Sequence, residues 1–298
     1  MASHLSEETI TSRENKWLKI FRAALRGTGP AAGEPIGVEG PKLVEDALRS
    51  GLEAEALLVS EAGEASELER ILRAAGDSVA GIPRSRVMRT TERLFASVAG
   101  TETPQGVAAL FRQPAWEFDD VVRGAAGVDG ALRGDAALVV VMAAVQDPGN
   151  IGTMVRSAEA FGATGVVTTR GSADPWSPKA LRASAGSGLR VPVLRGMAIP
   201  VLLAQLRVAG VKIVAASSHS AAEGGAGADV LAADLREPVA IFIGNEGGGL
   251  PREIEHVADA RISIPMMAGV ESLNAGVAAS VVLYEAARRR KSFTADGH

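Results

Sequence analysis

Apolar and polar positions alternate along this chain in blocks the size of ordinary strands and helices. Trp17, Ile20, Phe21, Ala24 and Leu25 recur at helical spacing behind Ser12, which reads as the N-cap. The residues before it, 1–12, are polar and read as a frayed terminus. An apolar run at Ile36–Val38 precedes a helix near Pro41–Ser50, a strand at Ala56–Val59 and a helix at Ser66–Ala75. Ser85–Val98 reads as one or two helices and Val107–Phe111 as a strand. Residues 1–112 therefore form a small α/β domain. Residues 113–135 carry Pro114, Asp119, Asp120 and four spaced glycines, and read as a linker.

The pattern changes at residue 136. Ala137–Val145 is a continuous apolar run, as expected of a strand covered on both faces. Helix Asn150–Phe161, strand Val166–Thr169, helix Ser177–Ala185 and strand Arg190–Val193 follow. Then come helix Pro200–Val208, strands Val211–Ala216 and Val239–Ile243, a short helix Pro251–His256, strand Arg261–Ile264 and a long helix Ser272–Arg290. Such alternation predicts an α/β domain over 136–298, a mostly parallel sheet with helices on both faces.

Composition narrows the chemistry. The 298 residues include no cysteine, which excludes disulfides, thiolate nucleophiles and cysteine zinc sites. The four histidines, His4, His219, His256 and His298, have no i,i+4 pair, so no histidine metal site is expected. The net charge of −4 offers no general attraction for nucleic acid, so any RNA surface has to be local. One candidate is the basic face of the first helix, Arg13, Lys16, Lys19, Arg22 and Arg26, which reads either as a solvated face or as a phosphate-contacting stripe. The glycine loop 27–37 follows a helix rather than a strand, which argues against a phosphate cradle. The N-terminus lacks the basic start and apolar run of a signal peptide, and no uninterrupted apolar run is long enough to span a bilayer. A soluble, cytoplasmic protein is expected.

Three blocks in the second half carry polar chemistry at the carboxyl ends of predicted parallel strands, where open α/β sheets bind ligands. In Val145–Arg156, a turn at Asp147, Pro148 and Gly149 leads to Asn150, placed to cap a helix, with Arg156 off the apolar face. In Ile241–Pro251, a buried strand runs into Gly244, Asn245, Glu246 and three successive glycines, a composition suited to close approach of a ligand to bare backbone. Neither a dinucleotide fingerprint nor a P-loop fits it, because an acid sits inside the loop and no Lys-Ser or Lys-Thr follows. In Ile262–Asn274, a short strand ends at Pro265, and Ser272 and Asn274 stand in the first turn of the last helix. Taken singly, the first and third blocks also pass for ordinary helix capping.

Taken together and in this order, the blocks resemble the SpoU (TrmH) type of the SPOUT methyltransferase superfamily. Asn150, Gly152, Arg156 and Gly162 carry the first motif; Gly244, Glu246, Gly248 or its neighbour, and Leu250-Pro251 the second. Ile264-Pro265-Met266, Gly269 and Ser272-Leu273-Asn274 carry the third. Ser12–Asn15, Val38–Gly40 and Thr103–Gly106 resemble an N-terminal RNA substrate-binding domain often fused to such enzymes. The resemblance implies a trefoil knot in the C-terminal segment, which general topology rules would argue against. It also implies a homodimer with a composite site. S-adenosylmethionine would be held through Gly244, Asn245, Gly248, Ile264, Met266, Ser272 and Leu273. Arg156, Asn150, Glu246, Ser272 and Asn274 would carry catalysis, without a metal. One departure is Ala275-Gly276, where family members commonly have bulkier residues.

The implied activity is RNA ribose 2′-O-methylation. The family gives Arg156 a central role, often as general base, yet arginine keeps its proton in nearly all proteins. Gripping the adjacent phosphate and stabilising the developing alkoxide suits its chemistry better. Asn150 would orient the arginine or the nucleotide, Glu246 would hold the arginine or the ribose, and Ser272 and Asn274 would fix the third loop. By analogy with the fused N-terminal domain the RNA is ribosomal; a transfer RNA substrate, or a non-catalytic ribosome-assembly factor of the same fold, are the alternatives.

Overall fold

The computed structural model describes residues 8–61, 86–124, 136–217, 228–231, 233–245, 247–267, 270 and 272–290. The chain divides into two compact units, Met1–Ala115 with Trp176–Leu181, and Trp116–Pro175 with Arg182–His298.

The first unit is built on β1 (Glu8–Ile10), α1 (Lys16–Arg26), β2 (Ile36–Glu39), α2 (Pro41–Arg49), β3 (Ala54–Ser60), β4 (Val87–Thr90), α3 (Glu92–Val98) and β5 (Val107–Phe111). Its strands lie in the order β1-β4-β3-β5-β2, with β1, β4 and β3 parallel and β5 antiparallel to both neighbours. Leu18, Phe21 and Leu25 of α1 and Leu94, Phe95 and Val98 of α3 close one core over Ile10, Leu58, Met88 and Leu110.

Several expectations change here. The terminus expected to fray contains β1, because Ile10 is buried and pairs with Thr90. Asn15, not Ser12, caps α1, its Oδ1 accepting from Trp17 N at 2.8 Å. The buried stripe of α1 passes through Leu18, while Ile20 is exposed and Trp17 half-buried. Ser85–Val98 is not all helical: Val87–Thr90 is a central strand and only Glu92–Val98 is helix, capped by Thr91. The strand is four residues long, too short for periodicity to separate from a helix. The helix expected at Ser66–Ala75 lies outside the described residues. Two of the five residues of the expected phosphate stripe have other work. Arg22 donates to Ser97 O, and Arg26 to Ala99 O and Ala96 O, so both serve the carbonyls freed at the end of α3.

The second unit runs α4 (Phe118–Arg123), β6 (Leu138–Met142), α5 (Pro148–Ala160), β7 (Gly165–Thr169), the last two residues of α6 (Pro178–Ala183), whose residues through Leu181 belong to the first unit, a 3-10 turn (Ser187–Leu189) and β8 (Val193–Met197). It continues with α7 (Ile199–Val208), β9 (Lys212–Ser217), β10 (Ala228–Asp229), β11 (Val239–Ile243), α8 (Arg252–Val257), β12 (Ala260–Ser263) and α9 (Ala275–Arg290). The seven strands lie in the order β10-β12-β9-β11-β6-β7-β8, every pair parallel. Val239–Ile243 is buried throughout, as a central strand of a doubly covered sheet should be.

Alternation along the strands divides the two faces. Val139, Val141, Ile213, Ala215, Ala240 and Phe242 share a core with Val121 of α4, Leu202, Leu203 and Leu206 of α7, and Ile254 of α8. The opposite face meets α5 and α9, which also pack on one another. The segment expected as a linker thus contributes a helix: the buried Val121 lies so close to Gly165 that a Cβ there would stand 2.7 Å from its Cα. The strand expected at Arg190–Val193 begins at Val193, Arg190 being the C-cap of the 3-10 turn Ser187–Leu189. No helix among the described residues is long and apolar enough to cross a membrane.

Candidate functional site

The strand order of the second sheet has one change of direction. From β6 the chain winds outward through β7 to β8, whereas β9, β12 and β10 lie beyond β11 on the other side. The winding direction reverses between β6 and β11, and ligands of open α/β sheets bind at the carboxyl ends of the strands at such a point. The first polar block leaves β6 there and the second leaves β11.

Gly244 ends β11. A Cβ on it would stand 2.3 Å from both C and O of Gly249, so only glycine lets the loop close on itself. The loop closes through paired bonds between Asn245 and Gly249, at 3.1 and 2.8 Å, with Gly249 at φ +65°. Asn245 then works in two directions. Its Oδ1 accepts from Gly247 N at 2.9 Å, and its Nδ2 donates to Ala144 O at 3.3 Å, tying this loop to the end of β6. Ala144 holds φ 56°, a left-handed conformation that costs a non-glycine residue of order 1 kcal/mol. Thr169 Oγ1 accepts from its N–H at 3.1 Å, so the strained residue is pinned from both sides. Glu246 lies outside the described residues.

The first block starts helix α5. Asp147, not Asn150, is its N-cap, accepting from Asn150 N at 3.3 Å, and Pro148 opens the first turn. That frees the Asn150 side chain, which is buried, to accept from Asn274 Nδ2 at 2.9 Å. Ile151, Met154, Val155 and Ala158 face the core, and Arg156 is exposed. Among the described residues Arg156 makes no hydrogen bond or ion pair.

In the third block, Asn274 rather than Ser272 caps the last helix. Its Oδ1 accepts from Gly276 N at 3.0 Å and Val277 N at 3.2 Å while its Nδ2 reaches Asn150. One side chain therefore sets the start of α9 and joins it to α5. Gly276 follows from this packing: a Cβ there would meet Thr153 Cγ2 at 3.0 Å, and one turn on Ser280 Oγ and Ser157 Oγ are 2.7 Å apart. The departure at Gly276 accompanies a close helix crossing.

Between these loops and α9 lies a cleft of about 680 Å³, open solvent at its mouth included. Ala216, Ile243, Ile262, Ala278 and Val282 make aliphatic walls, and Gly244, Asn245, Ile264, Met266, Ser272 and Leu273 form its loop side. Six of the seven residues expected to hold the cofactor thus line one cleft. Gly248 does not: it is exposed in the glycine loop, with open space around it. The wall residues were invisible to sequence reasoning because an aliphatic side chain on a buried strand carries no chemical signal.

An adenosyl group suits this cleft. Apolar walls can take the faces of a heterocycle, and main-chain groups its edges. Met266, Ser272 and Leu273, outside any helix or strand, make no hydrogen bond among the described residues. No cluster of His, Asp and Glu able to hold a metal ion occurs among the described residues.

A model of the SpoU rRNA methylase family matches residues 137–284, and one of the MRM3-like substrate binding domain matches residues 35–109. The chain is 33% identical over 248 residues to the 23S rRNA (guanosine(2553)-2′-O)-methyltransferase RlmP of Bacillus subtilis (strain 168), covering 83% of this chain and 86% of that protein. The AdoMet-bound rRNA methyltransferase from Sinorhizobium meliloti superposes with a TM-score of 0.77 at 29% identity, over 94% of this chain and 97% of the other. The SpoU methyltransferase AviRb from Streptomyces viridochromogenes, in complex with AdoMet, superposes at 0.74 and 28%, over 94% and 100%.

Proposed function

The chain belongs to the SpoU rRNA methylase family, and on that premise we propose that it methylates a ribose 2′-hydroxyl of ribosomal RNA, using S-adenosylmethionine. One observation carries the mechanism. The hydrogen bond from Asn274 to Asn150 joins the helix bearing Arg156 to the loop that lines the cofactor cleft.

S-adenosylmethionine, held by Gly244, Asn245, Ile264, Met266, Ser272 and Leu273, would supply an electrophilic methyl group whose bond to sulfur breaks as the ribose oxygen bonds to it, with S-adenosylhomocysteine as the leaving group and the hydroxyl proton passing to solvent water. The chain's own task is to bring that oxygen into line and stabilise its developing charge; positioning of this kind contributes several kcal/mol. Arg156 is exposed and, among the described residues, unpaired, so its planar fork is available to a phosphate and to the nascent alkoxide. Asn150 acts through Asn274, holding the third loop rather than the nucleotide. Glu246 is assigned to the ribose or to Arg156.

The match of residues 35–109 to a substrate-binding model supports RNA recruitment by the N-terminal unit, and with it a ribosomal rather than a transfer RNA substrate. The relative from Bacillus subtilis is named for 23S rRNA. Such a substrate puts the enzyme's work in the cytoplasm. A homodimer is supported by Val277, Val281 and Tyr284, exposed at i, i+4 and i+7 on α9. The knotted path is supported by Ile264, Met266, Ser272 and Leu273 lining one cleft with Gly244 and Asn245, and by the packing of α9 on α5.

The test is a map of 2′-O-methylation in ribosomal and transfer RNA from cells with and without the protein. One ribosomal site should be absent without it and return with the wild-type gene. Arg156→Ala should not restore that site, and in vitro should lose about a hundred-fold or more in rate while still binding S-adenosylmethionine. A site lost only from transfer RNA would move the substrate, and no lost site in any RNA would make the protein a binder.

A further inference from the structure

Arg156 stands one turn before Glu159 on α5, at the i,i+3 spacing where opposite charges on a helix meet. The two do not pair. Glu159 is committed elsewhere: Arg190 Nε donates to its Oε1 and Arg190 Nη2 to its Oε2, each at 2.7 Å. This fork-to-fork pair is partly sheltered, the side chains being 29% and 19% exposed. It satisfies both carboxylate oxygens in the geometry that binds most strongly. Arg190 is aimed by the turn before it, where Ala185 at φ 48° and Gly186 at φ 81° lead into the 3-10 turn Ser187–Leu189, which packs on α5.

We infer that Arg190 is a positioning residue for methyl transfer: by occupying Glu159, it keeps Arg156 from being captured by the acid one turn away and leaves it available to RNA. The inference rests on Arg156 being the residue that contacts substrate. The alternative is a plain staple between α5 and the turn. A staple and a mask differ in what removing the acid does. If Arg190 masks Glu159, a chain without both charges leaves Arg156 as available as before. If Arg190 acts in its own right, removing Glu159 as well restores nothing.

The experiment compares wild type, Arg190→Met, Glu159→Gln and the double variant Glu159→Gln/Arg190→Met, well below their melting temperatures. Methyl transfer is followed on ribosomal RNA from cells lacking the protein, with S-adenosylmethionine binding measured by calorimetry. Arg190→Met should lower kcat/KM for RNA about three- to five-fold, the effect of one sheltered ion pair. Its cofactor affinity should not change. The salt dependence of its RNA binding should weaken by about one phosphate contact. Glu159→Gln should match wild type, and the double variant should recover both rate and salt slope. Full activity in Arg190→Met, or a double variant as slow as Arg190→Met, overturns the inference. If Arg190→Met does not fold, Arg190→Lys takes its place; it keeps one hydrogen bond, and its smaller loss should be reversed by Glu159→Gln. Arg156→Ala assayed alongside separates the two readings, since full activity there removes the premise itself.

Discussion

At Gly244 the reason for a glycine is a distance rather than a flexibility. A methyl group there would stand 2.3 Å from the main chain of Gly249, and backbone on both sides leaves nothing soft to yield. Gly248, two residues beyond the acid, has open space around it. Two glycines of one loop should therefore respond differently to the same change. Gly244→Ala is expected to break the Asn245–Gly249 pairing and weaken S-adenosylmethionine binding by about ten-fold or more, following a loss of order 1–3 kcal/mol for an overpacked contact. Gly248→Ala is expected to bind as wild type does. Calorimetric titration of the two variants checks the contrast.

Helix α9 is held at both ends by side chains that the sheet alone would not require. At its start, Asn274 serves as cap and as the tie to Asn150. At its end, Arg290 donates to the carbonyls of Leu235, Ala136, Ala137 and Glu237, and Arg289 to that of Ala233. The buried Glu285 accepts from Arg288 at 2.8 Å and from Arg289 at 2.6 Å. The Arg288 hydrogen bond is the main reason its carboxyl is held down at about 2, against an ordinary value of 4.5; burial opposes this and Arg289 assists it. A depressed folded-state value means the carboxylate stabilises the fold fully above pH of about 4.5 and less as pH falls toward about 2. Glu285→Gln is accordingly expected to melt below wild type at neutral pH, with the gap steady down to about pH 5 and closing below it. Melting curves of both proteins between pH 7 and 2 measure it.

At the scale of the whole molecule, the exposed stripe Val277, Val281 and Tyr284 runs along the same helix that lines the cofactor cleft with Ala275, Ala278 and Val282. Contacts between copies through that stripe would couple assembly to the cofactor site. Val281→Glu places a charge in the stripe without touching the cleft. On the proposed homodimer it is expected to shift the protein from dimer to monomer in sedimentation, and to reduce methyl transfer with it. A sedimentation coefficient equal to that of the wild type would count against a dimer formed through this stripe.

How much of this was legible in the sequence follows from the range of the interactions involved. Strands β6 and β11 were plain, since a fully buried parallel strand reads as an uninterrupted apolar run. The glycine loop, Arg156 on the open side of α5 and the last helix were also readable from local pattern. Strand β4 was not, because four residues carry too little periodicity, and neither was β1, whose burial comes from a partner some 80 residues away. The site divides in the same way. Its polar residues announced themselves by type and order, and family resemblance joined them. The cleft's aliphatic walls, the choice of Asp147 and Asn274 over Asn150 and Ser272 as caps, and the pairing of Glu159 with Arg190 were decided only when distant segments met. A sequence determines by itself what neighbours along the chain can settle: strand or helix, turn or cap, charged or apolar. Which cap wins, which acid is silenced and where a cavity opens depend on residues far away in the chain, and only the tertiary structure decides them.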